Sequence, residues 1–560
     1  MATSALRELE RRKDRFDAAS ARIKVQRLHE LARTRLARPD QVRRLHEALC
    51  FLRAYPDNAE VLHTVESMLD GFDRRADLRA QRDALAYSGI AGTALWFPFF
   101  YPTALWMTQH WPTQLVLERA DTAAGESIAS LLPALLAPVE AHGLRESKLP
   151  GFDALDAVRG RETDATFLVR RVAAMRTDDR TREAYYDAIN PSCLLQAGPG
   201  TPSRTRAKLA SIRPVWQTQP LRRARPDLAG EIQRAPRSIQ RASPARSEAL
   251  IALARGAMAT RTRDLDAFAY ANPRDVWWVE DGGGLAFALI GMRIGRRAVV
   301  HAIYGGLTLQ NGVPVGYHQS DVAGRSAAVS FNTFETFRGG EAAHTFARLL
   351  ATLAHAFGTR SFSIEPYQLG KHNDEGLASG AWWFYAKLGF RPRSPTGRDL
   401  AQREFDLAER TPGRRTPPAA LQALAEHHLF FDIDRRQPAP LITPATVGLA
   451  AARHLTRLAG NDREAGIAQA SAAAKAMCGL RSLRGFTSAE RSAWEAWAPL
   501  LSLLPLGDWS REERAALVRV VRSKAAESER DYVRAFAELP RLEAALARLG
   551  RRSTAAARLD

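Results

Sequence analysis

Residues 299–321 read VVHAIYGGLTLQNGVPVGYHQSD, two alternating runs (299–309 and 313–321) on either side of Asn311-Gly312. A two-residue hairpin loop of type I′ needs positive φ at both central positions, and Asn followed by Gly adopts them at least cost. The stretch therefore predicts a β-hairpin and marks this part of the chain as sheet. Upstream, residues 285–292 (LAFALIGM) read as another strand, entered through the turn Gly282-Gly283-Gly284. Downstream, residues 327–334 (AAVSFNTF) read as a fourth.

The period then changes. In FRGGEAAHTFARLLATLAHAFG (337–358), Ala343, Phe346, Leu349, Leu350, Leu353 and Phe357 recur at three- and four-residue steps, the spacing of one helix face. A helix thus opens at a glycine pair directly after a strand, and Gly358 ends it. A short strand is expected over 361–365. A second helix is expected over 376–388, closed by Gly389-Phe390-Arg391-Pro392.

A hairpin with the return strand PVGY (314–317), a strand running into an Arg-Gly helix start, a short strand, then a helix ending FYAKLGFRP (384–392): this order resembles the GNAT acyltransferase family over residues 277–392. The most specific piece is Tyr385-Ala386-Lys387-Leu388-Gly389-Phe390, because GNAT sequences commonly end this helix with Tyr, a basic residue, Leu, Gly and Phe. The resemblance implies an α+β fold with a central mixed sheet and helices. It also implies transfer of an acyl group from acetyl-CoA or another acyl-CoA to an amine.

Site residues follow from the same resemblance. Backbone N–H groups at a helix start, aided by the helix dipole, attract a pyrophosphate. The family's loop (Arg or Gln, two residues, Gly, one residue, Gly or Ala) falls on 338–343, which assigns Arg338, Gly339, Gly340, Ala342 and Ala343 to coenzyme A. Glu341 stands where that loop has glycine. Its carboxylate competes for the positive helix end and can pair with Arg338 three residues earlier. A shifted register, with Gly339 and Gly340 making the approach, restores the site. Asn373 is assigned to the cofactor too, although it lies farther ahead of Tyr385 than the family places it.

For the chemistry, Tyr385 matches the family's general acid for the departing thiolate. Glu335, at the end of the strand leading to the loop, is a carboxylate placed to take the amine's proton. The structural alternatives are an aromatic that packs its helix onto the sheet and an exposed strand-end carboxylate. The connection IEPYQLGKHNDE (364–375) is unusually polar. With Ser379 it lines an acceptor pocket suited to a cationic amine, or it is a capped loop with Asp374 as N-cap.

The rest of the chain reads as helix. Four regions are expected: a helical domain over 1–197 with an aromatic segment at 89–112, an Arg/Pro-rich linker over 198–247, the GNAT-like domain over 248–400, and a helical bundle over 401–560. In the first, 5–36 reads as one long amphipathic run, with Asp40 and Asp57 capping the next two helices. Residues 89–107 (GIAGTALWFPFFYPTALWM) approach the length of a membrane span, but Pro98 and Pro102 break them. A buried aromatic segment is expected there, and no transmembrane span.

Composition bounds the function. The 560 residues have room for about three or four domains. With 46% hydrophobic and 25% charged residues, the balance is that of a folded chain. The net charge is +19, and the 198–247 segment holds 11 Arg or Lys against 2 acids, a surplus of 9. That surplus suits a nucleic-acid partner, or it reflects a GC-rich genome writing Arg wherever it is tolerated. Cys50, Cys193 and Cys478 form neither metal-ligand spacing nor a disulfide framework, and the opening MATSALRELERRKDRF has no apolar h-region. A reducing cytoplasm and no metal are the expectation. Gly370-Lys371 lacks the glycine spacing of a P-loop, and 376–380 does not centre its serine as a nucleophile elbow does. Three readings stand: an N-acyltransferase, a GNAT-shaped binding or scaffold module without cofactor chemistry, and a basic nucleic-acid-associated protein. The acceptor and the oligomeric state are left open.

Overall fold

The computed structural model describes residues 2–556, with side chains over 3–551. Residues 1 and 557–560, at the outer ends of the two expected helical regions, lie outside the described residues. The architecture is mixed α+β, a large mixed sheet among many helices.

A small sheet is built from β1 (Leu95–Phe97), β2 (Leu115–Leu117) and β3 (Cys193–Leu195) in the order β1-β3-β2. The large one has nine strands. They are β4 (Ser238–Arg241), β5 (Ala271–Gly282), β6 (Leu285–Met292), β7 (Ala302–Gln310), β8 (Val313–Ala323), β9 (Ser326–Thr333), β10 (Ser361–Ile364), β11 (Arg391–Pro392) and β12 (Leu429–Asp432). Their order is β11-β12-β10-β9-β8-β7-β6-β5-β4. Only β9 and β10 are parallel, joined across the helix Ala342–Phe357.

The Asn-Gly hairpin forms as read. Asn311 and Gly312 take φ of 49° and 77° between β7 and β8. Pro314, which cannot donate to a ladder, sits just past the register shift between Thr308 and Leu309. The strands are apolar at successive positions because both faces of the sheet are covered. One face meets Phe346, Leu349, Leu350 and Leu353, with Tyr532, Val533 and Phe536 from the C-terminal helices beside them against β7 and β8. The other meets Phe51, Ala54 and Tyr55 from the N-terminal helices, and Leu250, Ile251 and Ala254 from the helix Pro244–Ala259.

Several local expectations are corrected. Residues 5–36 form two helices, Ala2–Arg12 and Ala18–Arg33, because Asp17 caps the second through Ser20 N–H. The third helix starts at Pro39 with Arg38 at its N-cap, and Asn58 rather than Asp57 caps the fourth. Asp57 instead pairs with the buried Lys24 at 2.9 Å. The 198–247 segment is no free linker: it carries the helix Leu228–Gln233 and the edge strand β4. Arg348, fully buried, locks that helix down by bonding Asp281 at 2.6 Å and the Arg234 carbonyl at 2.9 Å. At the other boundary, β12 lies beyond residue 400 yet pairs between β10 and β11. The aromatic segment folds as β1 and the helix Tyr101–His110. Among the described residues no helix is long and apolar enough to cross a membrane.

Candidate functional site

The two parallel strands part company early. β10 meets β9 only at Ser326, Ala327 and Ala328. From Val329 to Thr333, β9 keeps its ladder to β8 but has no strand on its other side. β10 stops at Ile364 because Glu365-Pro366 opens a short helix, and proline cannot continue the ladder. The gap leaves β9 with a free edge over residues 329–333, met among the described residues only at the Thr333 carbonyl by Arg338 Nε at 3.4 Å, and an extended amide-bearing ligand can pair with such an edge. A cleft of 600 Å³ opens there.

Four of the expected residues, Arg338, Ala342, Asn373 and Tyr385, line this cleft together. Tyr385 is brought by the helix Ala381–Lys387, which Gly380 (φ 66°) separates from the helix Asp374–Ser379. The single helix expected over 376–388 is thus two, kinked by a left-handed residue. The Tyr385 ring packs 5.3 Å from Phe346 and 5.9 Å from Phe390. Burial raises the pKa of its hydroxyl above the usual tyrosine value, and no side chain or backbone group among the described residues hydrogen-bonds that hydroxyl.

Asn373 has a structural job. Its Oδ1 accepts from Gly376 N–H at 3.1 Å, and its Nδ2 donates to the Tyr367 carbonyl at 3.0 Å. Asn373, not Asp374, is therefore the N-cap. Arg338 pairs with Glu375 at 2.9 Å instead of with Glu341. Arg263 reaches the same carboxylate at 3.1 Å, and the hydrogen bond from Arg338 holds the Glu375 carboxyl below its usual range. Tyr367, Gln368, Asn373, Glu375 and Ser379 of the connection line the cleft, and the one carboxylate among them is paired with two guanidinium groups. Glu335 sits exposed on the turn Glu335–Phe337 and lines a neighbouring cleft of 840 Å³, apart from Tyr385.

Gly339, Gly340 and Ala343 lie at the loop itself. Gly339 has φ of 82°, and a Cβ there would meet nothing within 4 Å. Glu341 occupies the N-cap position of the helix Ala342–Phe357, yet no side chain caps that helix. The Glu341 carboxylate turns instead to the Arg222 backbone N–H at 2.9 Å. That bond belongs to a strap from the 198–247 segment. Arg223 Nε donates to the Gly339 carbonyl at 3.1 Å, and Arg222 stands 3.2 Å from His344 Nε2. Burial, then the nearby Arg222 charge, depresses the His344 pKa and keeps its ring neutral. A helix start without a side-chain cap, open space at Gly339 and the Arg338 guanidinium group at the cleft are the kind of donors that a pyrophosphate uses, while Arg223 is committed to Asp14. The residues present fit that group.

Reasoning from sequence passed over β8. Tyr317, Gln319 and Asp321 alternate along it and so share one face; Tyr317 and Gln319 line the cleft, with Asp321 next along that face. Arg263 donates to the Tyr317 hydroxyl at 3.0 Å, and Gln319 Nε2 donates to Asp321 Oδ1 at 3.0 Å. Burial pushes the Asp321 carboxyl up to about 6. The run Tyr317-His318-Gln319-Ser320-Asp321 is polar at every position, so the sequence marked the segment as unusual for a hairpin strand without saying which face lines a cleft.

Comparison with protein-family models, with curated proteins and with solved structures finds nothing that matches this chain.

Proposed function

We propose that the chain is a GNAT-like N-acyltransferase that accepts an acyl group from a coenzyme A thioester and passes it to an amine by direct attack. The observation that carries this reading is the gap between parallel β9 and β10, opening beside an uncapped helix start with Tyr385 in its wall. The run of hairpin, strand, glycine-opened helix, short strand and helix on which the resemblance rests supports it as well.

The thioester, when bound, supplies an activated acyl carbonyl and a thiolate leaving group. The first-turn amides with Arg338, Gly339 and Gly340 hold phosphate, and the free edge of β9 aligns the amide-bearing arm. Tyr385 keeps its proton at neutral pH and donates it to the leaving sulfur. Asp321, whose carboxylate Gln319 holds from the cleft wall, takes the proton of the attacking amine by way of water, while Glu335 lines the other cleft.

Thermal unfolding with acetyl-CoA tests the binding step. At about one hundred times Kd the ligand adds about 2.7 kcal/mol to the folded state, and the melting temperature rises. Asn332→Trp, which fills the cleft on a strand that tolerates aromatics, is expected to abolish the rise while leaving the unliganded melting point close to wild type. No rise with acetyl-CoA or longer acyl thioesters would instead favour the binding-module reading, for which the strap across Gly339 and Glu341 is the supporting feature.

The proton acceptor predicts a pH profile. A carboxyl raised to about 6 is a base only above that pH, so kcat/KM should climb through pH 6 and level off. Asp321→Asn should lower the plateau and remove this limb; a limb that survives the substitution assigns the base elsewhere. A nucleic-acid role gains little support, because Arg204, Arg206, Lys208, Arg223, Arg234 and Arg241 of the basic segment are already ion-paired within the chain.

A further inference from the structure

The larger cleft, 840 Å³, lies between the N-terminal helices and the sheet face bearing Tyr317 and Asn332. Its wall holds Lys13, Arg43, Arg44, Arg204, Arg261, Arg263 and Arg338 against Asp40, Glu47, Glu335 and Glu375, seven cations to four carboxylates. Pairing uses up only some of them. Arg44 goes to Glu10, Arg204 to Glu47, and Arg263 and Arg338 share Glu375. Among the described residues Lys13, Arg43 and Arg261 have no carboxylate within ion-pair distance.

Arg261 is the informative one. Its guanidinium lies 3.6 Å over the Phe334 ring and donates through one nitrogen to the Ala257 carbonyl at 2.8 Å. Burial, with the Arg204 charge behind it, depresses its pKa well below the usual arginine value. A cation held on an aromatic face, with donors left over and no counter-charge, is stabilised by an anion arriving from outside the chain. Arg204 adds a buried Nε that has no acceptor.

The place is distinct from the helix start. None of Gly339, Gly340, Glu341, Ala342 and Ala343 lines this cleft, whereas Arg263, Tyr317, Asn332, Arg338 and Glu375 line both clefts. A ligand here therefore meets the contents of the Tyr385 cleft end to end.

We propose that the 840 Å³ cleft binds a phosphate-bearing small molecule, separate from coenzyme A, through the unpaired guanidinium groups of Arg43 and Arg261. On the acyltransferase reading, which this assignment of role rests on, that molecule is the acceptor: an amine carrying phosphate rather than a simple cationic one. The anion site itself stands without that reading.

Calorimetric titration of the full chain with inorganic pyrophosphate, at matched ionic strength against chloride, tests it. Saturable binding is expected, weakened about tenfold or more by Arg43→Glu and by Arg261→Gln, since each removes a charge-assisted contact. Arg43 is exposed and without a partner, so its variant reports on binding even if Arg261→Gln unfolds. Pyrophosphate binding that persists at saturating coenzyme A supports a separate ligand; mutual exclusion assigns the cleft to the cofactor's own phosphates and overturns the proposal. Absent binding, or binding indifferent to Arg43→Glu, overturns it too. Neither result touches the acetyl-CoA melting shift, which tests the acyltransferase reading by itself.

Discussion

Asp275→Ala is expected to cost about 3–5 kcal/mol and to release the C-terminal helices from the sheet, because it orphans a buried set of donors and unbalances a buried charge group. Asp275 lies on β5 with no exposed surface. Its carboxylate accepts from Tyr304 Oη at 2.9 Å, Ser528 Oγ at 2.6 Å, the Glu529 backbone N–H at 2.9 Å and Trp277 Nε1 at 3.0 Å. The sheet has made room for it: a Cβ on Gly291 would fall 2.3 Å from its Oδ2. Around it stand Glu529, Lys524 and Arg297, two acids and two bases buried together. Lys524 Nζ donates to Glu529 at 2.5 Å, while Arg297 donates to the Lys524, Ala526 and Glu527 carbonyls. Burial raises the Glu529 carboxyl and lowers the Lys524 ammonium, so each depends on the other to stay charged. Urea unfolding followed by tryptophan fluorescence reads the loss, since Trp494 and Trp497 belong to the bundle that is freed. Hydrogen exchange should speed up first in the helix Glu529–Ala537. A midpoint within experimental error of wild type would mean that the network is not what holds the bundle.

Tyr385→Phe is expected to lower turnover about a hundredfold with acyl-CoA affinity nearly unchanged, the size of effect general acid catalysis carries. The substitution is clean. Phenylalanine keeps the contacts to Phe346, Phe384 and Phe390, and the lost hydroxyl leaves no hydrogen-bond partner behind. The melting temperature should therefore stay put. Single-turnover rates with acetyl-CoA and a phosphate-bearing amine separate the chemical step from binding. Equal rates in the two proteins would leave Tyr385 as an aromatic that only packs its helix onto the sheet.

The two predictions divide along the line between what was legible in the sequence and what was not. The hairpin, the helix Ala342–Phe357 and the helix ending at Lys387 were readable because each is decided within a few residues: Asn-Gly sets a turn, a three- and four-residue apolar step sets a helix face, and Gly358 and Gly389 (φ 79° and 100°) stop what precedes them. Tyr385 stood out through the resemblance of its helix end to GNAT sequences. Chain-distant pairing had no such local mark. β12 is four residues, LFFD, and becomes a strand only because β10 and β11 flank it. β4 hides in an Arg-rich stretch whose composition suggests a linker, and it is recruited by the exposed edge of β5. Whether Arg338 meets Glu341 or Glu375 depends on where the 364–375 connection folds back, not on spacing along a helix.

The same holds for Asp275, an ordinary acid in sequence that the fold surrounds with donors drawn from residues as far along the chain as Glu529. The sequence by itself determined the local units and their order in this chain. Only the tertiary structure decided how β9 and β10 separate, which side chains line the gap, and which arginines are left without a counter-charge. Propensity and turn geometry act over a few residues, whereas clefts and charge balance come from segments brought together across hundreds.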